Sequence, residues 1–376
     1  MPKPFFRRFT KVFIFFNVVV AVLFLLGGCA KYFDPSNGWF VGILNLAFPY
    51  LLFILAIFFI GWIFIKPTAA IISVIAVLVA WGQVQQIMPF RISADFKIKK
   101  DSGTIRIMSW NVEQFNILFH KTHPEVKEKM LQLINEFQPD IACFQEMVGG
   151  ENPKAINNIY AIQKTMHFPD FFYCYNVRED FDNHHHFGII IFSKFPFINK
   201  EIVNNNSNYY NSIFQFADIV ANKDTLRIFN IHLQSMKFTE KNLAFIDNPT
   251  NSSDSNLEKS KNIISKLKSA YIKRGLQADR VRAEINKSIY PPIVCGDFND
   301  VPNSYAYATI GKGLQNAFVE KGRWFGRTFS GISPTLRIDN IFADKRFEIE
   351  QFTRIKQKLS DHFPILTDIK MKKSFQ

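Results

Sequence analysis

Polar residues recur at the ends of apolar runs in this sequence. Asn111 and Glu113 follow Ile105-Arg-Ile-Met-Ser-Trp, Glu146 closes Ile141-Ala-Cys-Phe-Gln, and His232 stands in Asn-Ile-His-Leu. Asp297 and Asn299 lie in Cys-Gly-Asp-Phe-Asn, Asp339 in Arg-Ile-Asp-Asn-Ile-Phe, and Asp361 and His362 in Leu-Ser-Asp-His-Phe-Pro. A carboxylate or imidazole among buried strand residues costs free energy unless it is paired or bound to a cation. Taken singly, a strand-end Asp or Asn is turn chemistry. A recurring mixture of carboxylates, amides and histidines points instead to one shared site. Hard oxygen ligands without a Cys/His cluster favour Mg²⁺, Mn²⁺ or Ca²⁺ over zinc.

The elements that must position these residues begin at Thr104. Ile105–Asn111 alternates like a strand. Glu125–Phe137 carries Val126, Met130, Leu133, Ile134 and Phe137 at helical spacing, and Gln138-Pro139-Asp140 stops it. Strand-like runs follow at Ile141–Glu146, Phe171–Val177, Phe187–Ser193, Ser212–Ala221, Thr225–Leu233, Ile293–Asp297, Arg337–Ala343 and Ile365–Lys370. Many of these strands follow one another without a helix between them, which excludes a simple doubly wound sheet and favours two packed sheets flanked by helices. Phe245–Asn256 reads as a polar loop or insertion containing a possible acceptor, Asn251-Ser252-Ser253. Leu257–Ile289 reads as a long basic helix, and a solvated face is favoured over a surface for nucleic acid or anionic lipid.

The order and spacing of these motifs resemble the endonuclease/exonuclease/phosphatase superfamily, in its deoxyribonuclease- and sphingomyelinase-like branches. The matching elements are Ser109-Trp-Asn111-Val-Glu113, Asp140-Ile-Ala-Cys-Phe-Gln-Glu146, Gly188-Ile-Ile-Ile-Phe-Ser-Lys-Phe-Pro196, Asn230-Ile-His232-Leu, Gly296-Asp297-Phe-Asn299, Arg337-Ile-Asp339 and Ser360-Asp361-His362. The resemblance implies a four-layered α/β/β/α sandwich and phosphoester hydrolysis assisted by a divalent metal, Mg²⁺ or Mn²⁺. It implies Glu146 and Asn111 as metal ligands, with Asp361 completing the site. Glu113 would help, although the family often has a shorter acid or none there. Asp297 would orient or deprotonate the attacking water, and Asn299 would fix Asp297 and touch the phosphate. His232 and His362 would donate to phosphate oxygens as charge builds, with Asp339 holding His362. Which group is the base stays open at this point. His232 favours the nuclease, sphingomyelinase and inositol-phosphate phosphatase patterns over abasic-site repair enzymes.

Three other features carry alternatives. His184-His185-His186 could line a pocket or hold a second metal, but adjacent residues of an extended chain cannot all point one way, which favours a solvated loop. Phe171-Phe-Tyr-Cys-Tyr175 could stack bases, yet alternating aromatics in a strand are more often core. Gly322-Arg-Trp-Phe-Gly-Arg-Thr328 is a basic aromatic loop that offers Arg327 as a substrate contact, against plain packing.

The average composition conceals two unlike parts. The chain has 376 residues, 48% hydrophobic, with 42 Phe and a formal net charge of +13. That average excludes disorder, collagen and a disulfide scaffold. Residues 1–100 hold 10 Lys+Arg and 2 Asp+Glu, so they carry +8 of the +13. The basicity is therefore poor support for a nucleic-acid partner. Residues 1–90 read as a membrane anchor with three predicted spans at about 12–30, 39–65 and 67–86, since a spanning helix needs about 20 apolar residues. The third is marginal, because Gln83, Gln85 and Gln86 make its far end polar. Residues 91–103 read as a linker and 104–376 as the catalytic domain. Lys3, Arg7, Arg8 and Lys11, with Lys66 between the second and third spans, favour the cytoplasmic side. Three spans then place the domain on the periplasmic or extracellular side of a bacterial inner membrane. Two would leave it in the cytoplasm. Leu26-Gly27-Gly28-Cys29 resembles a lipoprotein cleavage box. Cys143, Cys174 and Cys295 read as small buried hydrophobes.

The expected molecule is a membrane-anchored, metal-dependent phosphoesterase. Its leading version is a phosphodiesterase acting on nucleic acid or a lipid head group, and a phosphorylated small molecule remains within its reach. The rival is a non-catalytic membrane protein that binds a phosphorylated ligand.

Overall fold

The computed structural model of the chain describes residues 4–91, 94–150, 157–175, 185–203, 214–247 and 254–372. The N-terminal apolar stretches form helices α1 (Pro4–Gly28) and α2 (Pro35–Ile65). Asp34 caps α2 by accepting from the Ser36 N–H at 2.8 Å, Pro35 opens it, and Lys66-Pro67 ends it. Both helices are long and apolar enough to cross a membrane. Phe24 stacks on Phe48 with ring centroids 4.3 Å apart, packing α1 on α2. Asn17 is buried, donates to Ser73 Oγ and accepts from Trp62 Nε1, which satisfies its amide inside an apolar bundle.

The third expected span is broken. It consists of a short 3₁₀ turn, α3 (Ala70–Val79) and α4 (Trp81–Ile87), bent by 67° at the break. Ten residues of α3 rise only about 15 Å, half of a hydrocarbon core. Polar contacts with the following domain accompany the bend. Gln86 Oε1 accepts from Tyr307 Oη, and the Gln83 carbonyl accepts from Asn303, both partners lying in the following domain. Arg337 donates to the carbonyls of Gln86 and Ile87. The polar end of the stretch thus turns away to meet polar partners.

Residues from 104 onward form two six-stranded sheets. In chain order the elements are β1 (Ile105–Asn111), α5 (Pro124–Phe137), β2 (Ile141–Gly150), α6 (Asn158–Met166), β3 (Asp170–Tyr175), β4 (His185–Ser193), β5 (Phe197–Val203), β6 (Phe214–Ala221), β7 (Asp224–His232), α7 (Glu240–Asp247), α8 (Asp254–Asn286), β8 (Pro292–Asp297), α9 (Tyr305–Gly311), β9 (Gln315–Asn316), α10 (Ala317–Lys321), β10 (Asp339–Ala343), β11 (Phe347–Arg354) and β12 (Ile365–Met371). One sheet has the order β11-β12-β1-β2-β4-β3, the other β5-β6-β7-β8-β10-β9. Ile107, Cys143, Ile191, Ile228, Ile293 and Cys295 belong to the core cluster shared by both sheets. Met108, Met130, Ile134 and Phe144 form a second cluster that joins the first sheet to α5 and α6. Phe229, Val281, Ile285, Val294 and Ile310 form a third that joins the second sheet to α8 and α9. The result is the expected α/β/β/α sandwich, preceded by two candidate spans.

The basic helix α8 is amphipathic. Its buried side carries Leu267, Ala270, Tyr271, Ala278, Val281 and Ile285. Part of that side meets α2. Tyr271 Oη donates to the Gly42 carbonyl at 3.0 Å, and a Cβ on Gly42 would fall 2.9 Å from the Tyr271 ring. The three domain cysteines are buried and unpaired. Asn251-Ser252-Ser253 lies outside the described residues.

Candidate active site

The site is built where the two sheets end together. In the second sheet β7 and β8 run parallel with His232 opposite Asp297, and β10 runs antiparallel with Asp339 opposite Asp297. Three neighbouring strands therefore deliver His232, Asp297 and Asp339 side by side. In the first sheet β1 and β2 are parallel, and Asn111 lies opposite Gln145. A register shift between Phe144 and Met147 and a positive φ of 53° at Glu146 turn the Glu146 side chain out of the ladder. Bulges commonly re-aim a side chain beside an active site. The sheets are tied across this end by Asn111 Nδ2, which donates to Glu146 Oε1 at 3.2 Å and to Asp297 Oδ2 at 3.1 Å.

Asp297 is the hub and is almost wholly buried. Its Oδ1 accepts from the Asn299 backbone N–H at 2.7 Å, and its Oδ2 from Asn299 Nδ2 at 3.2 Å. Asn299 holds this pose in the left-handed region, with φ at 50°, which Asn tolerates better than most residues. The same Oδ2 lies 3.5 Å from His232 Nε2 and 3.6 Å from His362 Nε2. Burial raises the Asp297 carboxyl above its ordinary range.

The two histidines differ in charge. Burial pushes the His232 imidazole down to about 4, so it is neutral near pH 7, and its Nε2 is buried without a hydrogen-bond partner among the described residues. Burial would lower His362 as well, but Asp339 and Asp297 outweigh it and hold that imidazole well above its ordinary value. Asp339 Oδ2 meets His362 Nδ1 at 2.8 Å. Trp110 Nε1 donates to the His362 carbonyl at 3.0 Å and fixes the residue from behind.

The Glu146 side chain is 22% exposed. Burial and then the charge of Asp361 lift its carboxyl to about 7, against the hydrogen bond from Asn111. Glu113 Oε2 accepts from the Asp361 backbone N–H at 2.8 Å, so Glu113 anchors the loop that carries Asp361. Its own carboxyl is raised by burial and then by Asp361. Glu113, Gln114, Phe115 and Asn116 all have positive φ, a left-handed turn of four non-glycine residues beside the site.

The donor chemistry fits a divalent cation. Glu146 and Asp361 offer hard oxygen atoms, Asn111 Oδ1 accepts from the Glu113 N–H at 3.2 Å beside them, and like-charged carboxylates raise one another in a way that a cation would relieve. Among the described residues the tightest convergence of His and carboxylate atoms is a different set, Asp297, Asp339 and His362, within 4.8 Å of one another. There Asp339 already binds His362 Nδ1, which leaves Nε2, 3.6 Å from Asp297 Oδ2, as the open nitrogen of that imidazole.

Sequence-derived site residues other than Arg327 gather here. Arg327 donates to the carbonyls of Phe329, Ser330 and Gly331, bracing the loop beside the cleft. The histidine triplet is also placed differently. His185 and His186 open β4, and His186 is buried and stacked on Tyr175 at 4.3 Å, while His184 lies outside the described residues. The aromatic run forms β3, where Phe171 and Phe172 pack on the cores. Sequence reasoning gave no role to Ser360, whose hydroxyl donates to the Asn111 carbonyl at 2.8 Å, or to Thr328, whose hydroxyl accepts from the Asp339 N–H at 3.0 Å. Ser360 belongs to the Ser-Asp-His motif and Thr328 closes the basic aromatic loop, so each lay in a stretch with a signal, but neither of these two partners is near in sequence.

Comparisons with known proteins bear on the family and the fold. The Endonuclease/Exonuclease/phosphatase family model matches residues 108–362, and a Domain of unknown function (DUF8431) matches residues 10–87. The human Nocturnin catalytic domain with bound sulfate anion is similar at 15% identity and a TM-score of 0.50, over 75% of this chain and 98% of that one. D. rerio TDP2 complexed with single strand DNA product is similar at 17% identity and a TM-score of 0.50, over 72% and 100%. A family protein from Leptotrichia buccalis C-1013-b gives 17% identity and a TM-score of 0.48, over 71% and 100%. Likeness at these identities is likeness of fold. No curated protein matches the chain. With a family match that spans well over half of its residues, this chain belongs to the endonuclease/exonuclease/phosphatase family.

Proposed function

We propose that the chain is a divalent-metal-dependent phosphodiesterase anchored in a membrane. The observation that carries this reading is the Asp297 carboxylate, held by Asn111 and Asn299 with two histidines within 3.6 Å of its Oδ2. Asp297 orients the attacking water and accepts its proton as the water oxygen bonds to phosphorus. The ester P–O bond breaks, and the departing oxygen takes a proton from solvent. His362, charged by Asp339, donates from Nε2 to a phosphate oxygen. His232, neutral, donates a second hydrogen bond without repelling His362. Asn299 fixes Asp297. Glu146 and Asn111, with Asp361 on the loop that Glu113 anchors, would hold the cation. When bound, Mg²⁺ or Mn²⁺ neutralises charge on the phosphate and on the departing oxygen.

We infer that α1 and α2 cross the membrane and that α3 and α4 together make a bent return. The N-terminal basic residues and Lys66 then lie in the cytoplasm and the catalytic domain outside it. A reporter fused after Gln376 that is active only in the cytoplasm would overturn that topology.

The deciding experiment assays the purified full chain on bis-p-nitrophenyl phosphate with Mg²⁺, Mn²⁺ or chelator. Turnover that needs metal and is lost in Asp297→Asn supports the reading. Turnover without metal, or undiminished in that variant, sinks it. Phosphoester binding without turnover would favour a binding protein.

A further inference from the structure

The anchor contributes Leu46 to the lining of the active-site cleft. The cleft, about 290 Å³, runs from Asp297, Glu146 and His362 to Leu46 of α2. Leu46 packs there with Val301, Phe329, Leu336 and Ile338. Met236, Phe238 and Leu243 add further apolar lining. The charged lining is mostly acidic: Glu146, Asp297, Asp300 and Asp361, against Lys237 and the charged imidazole of His362. Such a lining suits a polyanion poorly, because nucleic-acid affinity comes from many cationic contacts to phosphates.

The length of α2 sets the height of this cleft. Its 31 residues rise about 46 Å, while a hydrocarbon core is about 30 Å thick. Counted back from Ile65, Leu46 lies about 29 Å along the axis. The helix above Leu46 is bound to the catalytic domain, where Asn45 donates to the Pro302 carbonyl and the Gly42 carbonyl accepts from Tyr271. The helix below it carries exposed Phe53, Ile57 and Ile60. Between the two regions, Tyr50 shares a 2.6 Å hydrogen bond with Ser333, in the loop that presents Ile332 45% exposed. A tyrosine with an apolar ring and a polar end suits the membrane interface.

We propose that the substrate is the phosphodiester of a bilayer lipid, which enters the cleft from the membrane, apolar tail along Leu46, Phe329 and Ile332 and phosphate at Asp297. This rests on the phosphodiesterase reading above. Water adds to phosphorus and one ester P–O bond breaks, giving a phosphomonoester and an alcohol. Cleavage on the glycerol side leaves diacylglycerol in the membrane, and cleavage on the head-group side leaves phosphatidate.

The test uses the full chain reconstituted with Mg²⁺ in vesicles of phosphatidylethanolamine and phosphatidylglycerol. Bis-p-nitrophenyl phosphate and plasmid DNA are assayed in parallel. We expect release of diacylglycerol or phosphatidate, and weaker turnover of plasmid per phosphodiester. Ile332→Asp should lower the ratio of lipid to bis-p-nitrophenyl phosphate turnover by about tenfold, the worth of one apolar side-chain contact. Because Ile332 is exposed, folding of the variant is read from its residual turnover of the soluble ester. Hydrolysis of bis-p-nitrophenyl phosphate with the lipid left intact, a preference for plasmid, or an unmoved ratio would overturn the lipid assignment alone. Absence of any turnover would overturn the phosphodiesterase reading together with it.

Discussion

The Asp339 carboxylate holds the Nδ1 of His362 at 2.8 Å. This contact fixes both the orientation and the charge of the imidazole, because burial alone would discharge it and the facing carboxylates prevent that. Asp339→Asn keeps the shape but removes the charge. It should lower kcat on bis-p-nitrophenyl phosphate by roughly 10²-fold, with a smaller change in KM. Steady-state kinetics at saturating Mg²⁺ would check this.

Metal removal should act through Glu146. Chelator should abolish turnover, and Mg²⁺ or Mn²⁺ should restore it. Cation at about 100 times its Kd should also stabilise the folded chain by about 2.7 kcal/mol, seen as a rise in Tm. Glu146→Gln should remove that rise. It should not lower the Tm of the metal-free protein, since it deletes a carboxylate raised by burial and by Asp361.

His232 makes a prediction in acid. Its folded pKa of about 4 lies below the ordinary 6.5, so protons bind the unfolded chain more tightly. Its contribution to stability is complete above pH 6.5 and is lost as pH falls toward 4. His232→Gln removes this dependence. Relative to the variant, the native protein should lose up to about 3 kcal/mol across that window. Urea unfolding in chelator at several pH values would measure it.

A buried ion pair supports the first sheet. Arg106 Nε donates to Asp368 Oδ1 at 2.7 Å and Nη2 to Oδ2 at 2.8 Å, and the same guanidinium donates to the carbonyls of Lys97, Ile98 and Phe137. The arginine therefore also fastens the segment that leads into the domain. Asp368→Asn leaves a buried cation without its charge partner and should cost about 3–5 kcal/mol in thermal or urea unfolding.

The inner elements were legible because burial writes a plain pattern. Ile105–Asn111 and Ile293–Asp297 alternate or run apolar and end on the polar residues that form the site. The edge strands β5 and β11 escaped notice. Phe197-Ile-Asn-Lys-Glu-Ile-Val and Phe347-Glu-Ile-Glu-Gln-Phe-Thr-Arg are half-exposed and charged, as edges must be to avoid pairing with other chains. The bracing contacts of Arg327 were illegible for a related reason. Sequence displays a charge but not the backbone carbonyls that fold around it. The bend at Ala80 and the seating of α2 on α8 depend on contacts between residues more than 200 positions apart, such as Tyr271 with Gly42, and local patterns cannot report them.

The adjacency of β1 and β12 has a consequence for timing. Ile105 pairs with Ile369 and Ser109 with Ile365, so the first and last strands of the domain are neighbours in the middle of one sheet. Asn111 and His362 are therefore contributed by opposite ends of the domain. During synthesis, helices α1 to α4 emerge before any strand of the first sheet, and β11 and β12 come last of its six. Non-local pairing of this kind forms late. On the anchored topology proposed above, the nascent chain would be moored before it is competent, and its site would be complete only once the final strand arrives.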